Sequence, residues 1–223
     1  MQEMTAISVV GVGPGDPAYL TAQGIELIST AEVVAGFNLP LETASRHIKG
    51  ERVLLTYKNQ EAELAKLAEL ARAGRRCVVC AQGDPSFSGH ELVERVEAAG
   101  AFVEVIPGVS SVQVVCARAG LEMEQVLLFT FHKRGDSEPT LREFLAATRL
   151  RERHLIALPR PWDFMPDVMA RRLVEEGNPV DRPASVYERL TLPGERVTVT
   201  TLGALSAWPE PFSDLSILVV PKA

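Results

Sequence analysis

Residues 11–17 read GVGPGDP, directly after the apolar run ISVV at 7–10. A glycine-rich turn leaving an early strand is the usual place to look for a nucleotide phosphate, because backbone N–H groups at a helix start attract anions. This turn does not have that form. A dinucleotide loop needs G-x-G-x-x-G opening a helix, and an acid at the end of the second strand. Here the glycines stand at 11, 13 and 15, Pro14 has no N–H, and the helix start is delayed past Pro17 to Thr21. The second strand, EVVAG at 32–36, begins with its acid, Glu32, instead of ending on one. The same test counts against the commoner Rossmann-type methyltransferase, and no Gly-Lys-Ser/Thr follows to make a P-loop. Pro14 stiffens the turn, while Gly13 and Gly15 let another molecule approach the backbone. A stiff loop with few donors suits a flat apolar or cationic ligand; a plain strand-to-helix turn is the other reading.

Outward from that turn, the first half alternates strands with helices. Apolar runs at 7–10, 32–35, 52–56, 76–81 and 102–106 predict strands. Thr21 is placed to cap a helix carrying Ala22, Ile25, Ile28 and Ala31 on one face. Periodic apolar residues predict helices at 61–73 and 89–99, stopped by Gly74 and Gly100, and Ser110 is placed to cap a helix through Ala119. The alternation predicts a mainly parallel sheet. The second half reads differently. Strands are expected at 127–131, 154–158, 185–190, 196–202 and 216–220, with helices at 140–148 and 167–176. Only the turn TLPGE separates two of those strands, which favours an antiparallel hairpin. The fold class is therefore α/β, with two α/β domains: an N-terminal one at 1–122 with a mainly parallel sheet, and a C-terminal one at 123–223 with a mixed sheet.

Composition narrows the function classes. The chain has 223 residues, 46% of them hydrophobic and 23% charged, as in an ordinary globular protein. No apolar run is long enough for a membrane helix, and the N-terminus has no basic, apolar leader pattern, so a cytoplasmic protein without a membrane partner is expected. A formal net charge of −6 argues against a nucleic-acid partner. The cysteines are Cys77, Cys80 and Cys116, an odd count that fits a reducing compartment. Cys77 and Cys80 have C-x-x-C spacing but lie inside a strand run, where residues three apart face opposite sides, so they cannot share a metal. His47, His90 and His154 are scattered. No metal site is expected.

Further turns end first-half strands: QGDPSFSG at 82–89 and PGVSS at 107–111, with FHKRG at 131–135 at the expected border. In a parallel sheet such turns emerge at the carboxyl edge, where ligands bind. The set GVGPGDP, QGDPSFSG and PGVSS, in this order and spacing, resembles the tetrapyrrole (corrin/porphyrin) methylases, and the resemblance runs from Ile7 to Val220. Within that family the segments PGVSSVQVVCARAGL and YERLTLPGERVTVTTLGAL are most similar to the CbiE-type cobalt-precorrin-7 C5-methyltransferases of cobalamin synthesis. Two segments depart from the expected pattern: FTFHKRG from an S-x-H-G-R run, and FNLPLETA from a start richer in glycine and lysine. Another ring carbon, C11 or C17, and a non-catalytic tetrapyrrole-binding protein therefore stay open as alternatives.

The resemblance implies S-adenosyl-L-methionine as cofactor, held in the cleft between the domains, a corrin precursor as substrate, and a homodimer. It implies that Pro14, Gln82, Gly83, Asp84, Phe87, Ser110 and Ser111 line the cofactor, with Leu158 and Leu190 against the adenine. Asp84 has an Asx-turn reading beside this one, and Ser110 and Ser111 a helix-capping one. A late corrin precursor carries many carboxylates, so an acidic protein must gather cations locally; Lys133, Arg134 and Arg160 are the candidates. Arg46, Lys49 and Lys58 are further candidates in the first half, of which Arg46 and Lys49 read better as solvated surface. His132 is the best-placed group for moving a proton during methyl transfer. No C15-methylating, decarboxylating domain is read in the sequence; if that activity exists, it is expected on a separate partner enzyme.

Overall fold

Strands β1 (Ile7–Gly11), β2 (Val33–Gly36), β3 (Glu51–Leu54), β4 (Cys77–Ala81) and β5 (Val103–Ile106) form one sheet in the order β3-β2-β4-β1-β5. Every pairing in it is parallel. The structure is a computed structural model that describes residues 6–87, 89–133 and 135–222. The chain divides into two units, 1–111 and 112–223.

The unbroken apolar runs are explained by burial on both faces of the first sheet. Cys77, Val79 and Ala81 of β4 pack in one cluster with Leu64, Leu67 and Val96, from α3 (Gln60–Arg72) and α4 (His90–Ala98). Val78 and Cys80 pack in the other, with Ile28 of α1 (Ala22–Thr30) and Leu41 of α2 (Asn38–Ala44). The two cysteines therefore point to opposite sides of one strand. Burial pushes the Cys80 thiol up to about 12, and all three cysteines are free and buried. Local signals start and stop the helices. The Thr21 hydroxyl accepts from the N–H of Gly24 at 3.0 Å, capping α1. Gly74 and Gly100 take φ of +87° and +84° just past α3 and α4.

Two features of this unit depart from the sequence expectation. A 3-10 turn, Pro17–Tyr19, fills the gap before α1, capped by Asp16. The segment after β2 is helical as α2, although Pro40 lies inside it and no side chain caps it. Tertiary contact supplies what the sequence does not: Leu41 and Ala44 are buried, and the Thr43 hydroxyl donates to Gly15 O at 3.1 Å.

The second unit follows α5 (Ser111–Ala119) with β6 (Val126–Thr130), α6 (Glu138–Leu150), β7 (His154–Leu158), α7 (Pro166–Glu175), β8 (Pro183–Glu188), β9 (Arg196–Thr201), α8 (Leu202–Ser206) and β10 (Ser216–Val220). Its sheet runs β6-β7-β10-β8-β9. β6 and β7 are parallel, while β10 is antiparallel to both β7 and β8. The β8–β9 pair is the antiparallel hairpin that TLPGE predicts. The core gathers Phe131, Phe144, Met169, Leu173, Leu202 and Leu218. α8 was not expected; Thr201 ends β9 and at once caps the helix by accepting from Ala204 N–H.

Candidate functional site

β4, β1 and β5 are consecutive neighbours in the first sheet, and the turns GVGPGDP, QGDPSFSG and PGVSS leave their carboxyl ends. The turns meet backbone to backbone. Gly13 N–H donates to Gly83 O at 3.3 Å and Gly83 N–H returns to Gly13 O at 2.8 Å. Val12 N–H is taken by Ala81 O at 3.0 Å. The Val12, Gly13 and Gly83 N–H groups are thus spent within the protein, and Pro14 has none to offer a phosphate.

Glycine is required here by space. A Cβ on Gly11 would stand 2.6 Å from Gly83 O and 2.7 Å from Gly108 N. A Cβ on Gly108 would stand 2.6 Å from Gly11 O and nearer still to Gly83 O. Gly83 itself has φ +65°, and a Cβ there would lie 3.9 Å from the Cα of Ser110. Sequence reading singled out Gly83 but not Gly11 or Gly108, and it missed Thr43, which ties α2 to the first turn.

Gln82 carries the clearest chemical signal. Its Nε2 donates to Pro14 O at 2.5 Å, locking the second turn to the first. A carbonyl can only accept, so the amide orientation is fixed by chemistry. That leaves Gln82 Oε1 buried without a hydrogen-bond partner. An orphaned buried acceptor costs about 1–3 kcal/mol unless a ligand supplies an N–H or O–H. Asp84 accepts from Ser86 N–H at 2.7 Å, so the Asx turn is real. Phe87 N–H closes the same turn on Asp84 O at 3.1 Å. Ser110 is 7% exposed and immediately precedes α5, whose first residue is Ser111. All seven first-half candidates therefore lie on the turns of one sheet edge.

At the second unit, Thr130 and Leu158 are partners across β6 and β7, and Phe131 N–H donates to Leu158 O at 2.9 Å. His132 and Lys133 thus follow β6, and Arg160 follows β7, at the same end of that sheet. β8 runs alongside in the same direction as β7, since both are antiparallel to β10, so Leu190 shares that end. His132 is exposed. Lys133 Nζ donates to Thr140 Oγ1 at 2.9 Å. Arg160 Nε binds Asp163 Oδ1 at 2.5 Å, which offsets part of its charge. Arg134 lies outside the described residues. Leu158 is half-buried and Leu190 is 5% exposed. Leu190 sits between Arg189 and Thr191, at φ of 51° and 67°. Such backbone costs a non-glycine residue about 1–2 kcal/mol each. It is held by Thr191 N–H on Glu195 Oε2 at 2.7 Å and Arg189 Nε on Pro193 O at 3.0 Å. β-branched and charged residues at 189–195 hid this turn from the sequence.

Glu32, the acid beside the second strand, is accounted for at the opposite, amino end of the first sheet. Its carboxylate accepts from Arg76 N–H at 3.0 Å and lies near Arg75 and Arg76, which hold it below the usual carboxylate range. No group of metal-binding side chains is assembled among the described residues. No described helix is long and apolar enough to cross a membrane.

Comparison with known proteins gives a consistent answer. The family model for Tetrapyrrole (Corrin/Porphyrin) Methylases matches residues 6–206. A probable cobalt-precorrin-7 C(5)-methyltransferase of Methanocaldococcus jannaschii is 27% identical over 198 residues, covering 88% of this chain and 89% of that one. The crystal structure of the cobalamin biosynthesis precorrin-6Y methylase (cbiE) of Archaeoglobus fulgidus is 27% identical, with a TM-score of 0.72 over 98% of this chain and 99% of that one. The uroporphyrin-III C-methyl transferase of Thermus thermophilus, complexed with S-adenyl homocysteine, is 25% identical, with a TM-score of 0.77 over 97% and 92%. The chain spans about half the length of the siroheme synthases it also matches, 47% of that of Neisseria meningitidis at 29% identity.

Proposed function

The chain belongs to the tetrapyrrole (corrin/porphyrin) methylases, and we propose that it transfers a methyl group from S-adenosyl-L-methionine to a corrin precursor, at C5 of (cobalt-)precorrin-7. The observation that carries the reading is the junction of the turns at Gly11, Gly83 and Gly108, with the Gly13 and Gly83 N–H groups paired to each other's turn and the Gln82 Oε1 acceptor left open. That junction suits a ligand that approaches backbone closely, donates a hydrogen bond and brings no phosphate. The match to the C5-methyltransferase over 88% of this chain and 89% of the relative supports the ring position.

S-adenosyl-L-methionine supplies a methyl group on a sulfonium sulfur, whose positive charge is lost as the methyl moves to an electron-rich ring carbon. The protein's part is mainly placement, since correct geometry is worth about 7–11 kcal/mol of barrier. Gln82 Oε1 accepts from a hydroxyl or amine of the cofactor. Asp84 orders the second turn and offers its carboxylate to a hydroxyl or the ammonium group. Ser110 and Ser111 donate from the start of α5, where the helix dipole favours a carboxylate. Pro14 and Phe87 wall the pocket, and Leu158 and Leu190 contribute apolar contact for the adenine. Lys133, Arg134 and Arg160 meet substrate carboxylates, and a His132 imidazole nitrogen takes the proton released from the ring. The homodimer and the cytoplasmic location belong to the same proposal.

Similarity to the uroporphyrin-III C-methyl transferase of Thermus thermophilus over 97% of the chain favours a second reading, in which the acceptor is an earlier ring of the uroporphyrin-III type. Incubation with the labelled methyl donor and a panel of tetrapyrrole precursors, with NMR location of the new methyl, separates the two. Methylation at C5 of precorrin-7 is expected. A methyl at C11, C17 or on a uroporphyrin-type ring overturns the C5 assignment. Failure to bind S-adenosylhomocysteine at all points instead to a non-catalytic tetrapyrrole-binding protein.

A further inference from the structure

Arg182 is only 6% exposed, yet its guanidinium faces carbonyl-type oxygens and no carboxylate. Its Nη1 donates to Thr148 O at 2.8 Å and to Asn178 Oδ1 at 2.7 Å, and its Nη2 to Pro221 O at 3.1 Å. Its Nε is buried without a partner. A buried cation normally keeps a counter-ion, because desolvating a lone charge is costly. Arg182 also lines an open cavity of about 310 Å³, whose wall includes Arg151, Asp181, Pro221 and Lys222. No ion pair joins these charged side chains among the described residues, so Asp181 leaves the cluster with an excess of positive charge. Arg151 closes α6 with φ 55°, a left-handed conformation that a non-glycine residue adopts at a cost. Burial and the neighbouring Arg151 charge both pull the Arg182 pKa below its usual value.

The cavity lies before β8 and after β10, near the first residue of β7. That is the end of the second sheet opposite to Leu158, Arg160 and Leu190, about 13 Å away along β7 at the usual strand rise. The geometry points to a second binding site here, for a small oxyanion of the phosphate or carboxylate class, held by Arg151 and Lys222 at the rim over the buried positive charge of Arg182. The cavity volume is at the small end of the range for ligand pockets, which suits an ion or a short diacid. The anion would bridge the end of α6, the start of β8 and the segment after β10. It would stabilise the second unit by binding the folded state alone.

Thermal unfolding of the full chain tests this at constant ionic strength, with chloride, phosphate or succinate as the anion. A saturable rise in Tm of about 2–5 °C over chloride is expected for phosphate, succinate or both. Which of them acts tells an inorganic from a carboxylate ligand. The exposed rim is then changed in the double variant Arg151→Ser, Lys222→Ser, which leaves the buried Arg182 contacts intact. Its folding is checked by circular dichroism in chloride. Loss of two charge-assisted contacts should raise the concentration for half the effect at least about tenfold. No anion-specific rise in the unchanged chain overturns the proposal. So does a rise of the same size and midpoint in a folded double variant, because the anion would then be bound elsewhere.

Discussion

Gly108→Ala places a single methyl group at the junction of the turns. Gly108 is not among the glycines with positive φ, so the backbone itself tolerates alanine and the whole effect is steric. The new Cβ would stand 2.6 Å from Gly11 O and 2.7 Å from Gly11 C, with Gly83 O nearer still. These are backbone atoms at the end of β1 and in the turn after β4, with no rotamer to turn aside. Ordinary carbon–oxygen contact needs roughly 1 Å more, and overpacking of this kind costs about 1–3 kcal/mol. The upper half of that range is expected, because hydrogen-bonded strand ends cannot yield separately. For a chain of this length that lowers Tm by about 4–12 °C. A displacement of about 1 Å also misplaces a reacting group enough to cost about a hundredfold in rate. Gly120→Ala is the control. Its φ is +64° with nothing within 4 Å of the added carbon, so it tests backbone strain without the clash. Calorimetric titration with S-adenosylhomocysteine should show Gly108→Ala weakened at least about tenfold, and Gly120→Ala unchanged. If a folded Gly108→Ala binds as the original chain does, the junction is not the cofactor platform and the reasoning fails.

Gln82→Ala removes both the lock on Pro14 and the open acceptor; S-adenosylhomocysteine affinity should fall about tenfold by calorimetry, with loss of a hydrogen bond worth about 0.5–1.5 kcal/mol in stability. Glu188 is 4% exposed and accepts from Ser213 N–H at 2.9 Å and Arg196 Nε at 2.6 Å. Glu188→Ala strands that N–H and should cost about 2–4 kcal/mol in urea unfolding, whereas Glu210→Ala, whose partner Arg196 is on the surface, should cost under about 1 kcal/mol. Cys80 contributes a pH dependence of definite sign. Its folded thiol titrates at about 12 against 9.0 for a free thiol. The unfolded chain therefore loses this proton first, and stability is full below pH 9 and declines as pH rises toward 12. The difference corresponds to about 4 kcal/mol. Urea midpoints between pH 9 and 11 should fall more steeply for the original chain than for Cys80→Ala. Equal slopes would show that the thiol is not held protonated by burial.

What was legible in the sequence follows from how local each signal is. The runs ISVV, VVAG and CVVCA are apolar without alternation because α-helices cover both faces of their sheet, and that reads directly as parallel strands. Glycine stops and the Thr21 cap are equally local. α2 was not legible because its helix is completed by Thr43 reaching Gly15, a contact made by residues 28 apart. α8 was hidden because Thr201 serves as strand end and helix cap together, so the alternation of VTVTT runs into the helix without a break. At the site, the motif turns were visible but their closeness was not. That Gly11 needs to be glycine depends on Gly108, nearly a hundred residues away, and only sheet order β4-β1-β5 brings them together. The open acceptor of Gln82 was invisible for the same reason, since it exists only once Pro14 O has claimed the Nε2.

The candidate cofactor platform is made chiefly of backbone, and this bears on how such a protein can be specific. At the first sheet edge the close contacts are Gly11, Gly13, Gly83 and Gly108 main chain, with the Gln82 side chain holding the second turn to the first. Backbone packed to this density has no freedom to adapt, so it can position a constant ligand but cannot be retuned for a new one. The cationic and titratable candidates, His132, Lys133 and Arg160, instead follow strand ends of the other sheet on turns with exposed or half-buried side chains. Turns of that kind change without disturbing a core. On the proposed reading, the part of the protein shared with relatives acting on different rings is the rigid one, and the choice of ring carbon rests on the segment after β6. That segment reads FTFHKRG at 129–135. Exchange of residues 131–135 for the corresponding turn of a C11 or C17 methylase should therefore move the methylation position or abolish turnover, while S-adenosylhomocysteine affinity changes less than about threefold, under 1 kcal/mol. An exchange that destroys cofactor binding and leaves the chain folded would show that the two tasks are not divided in this way.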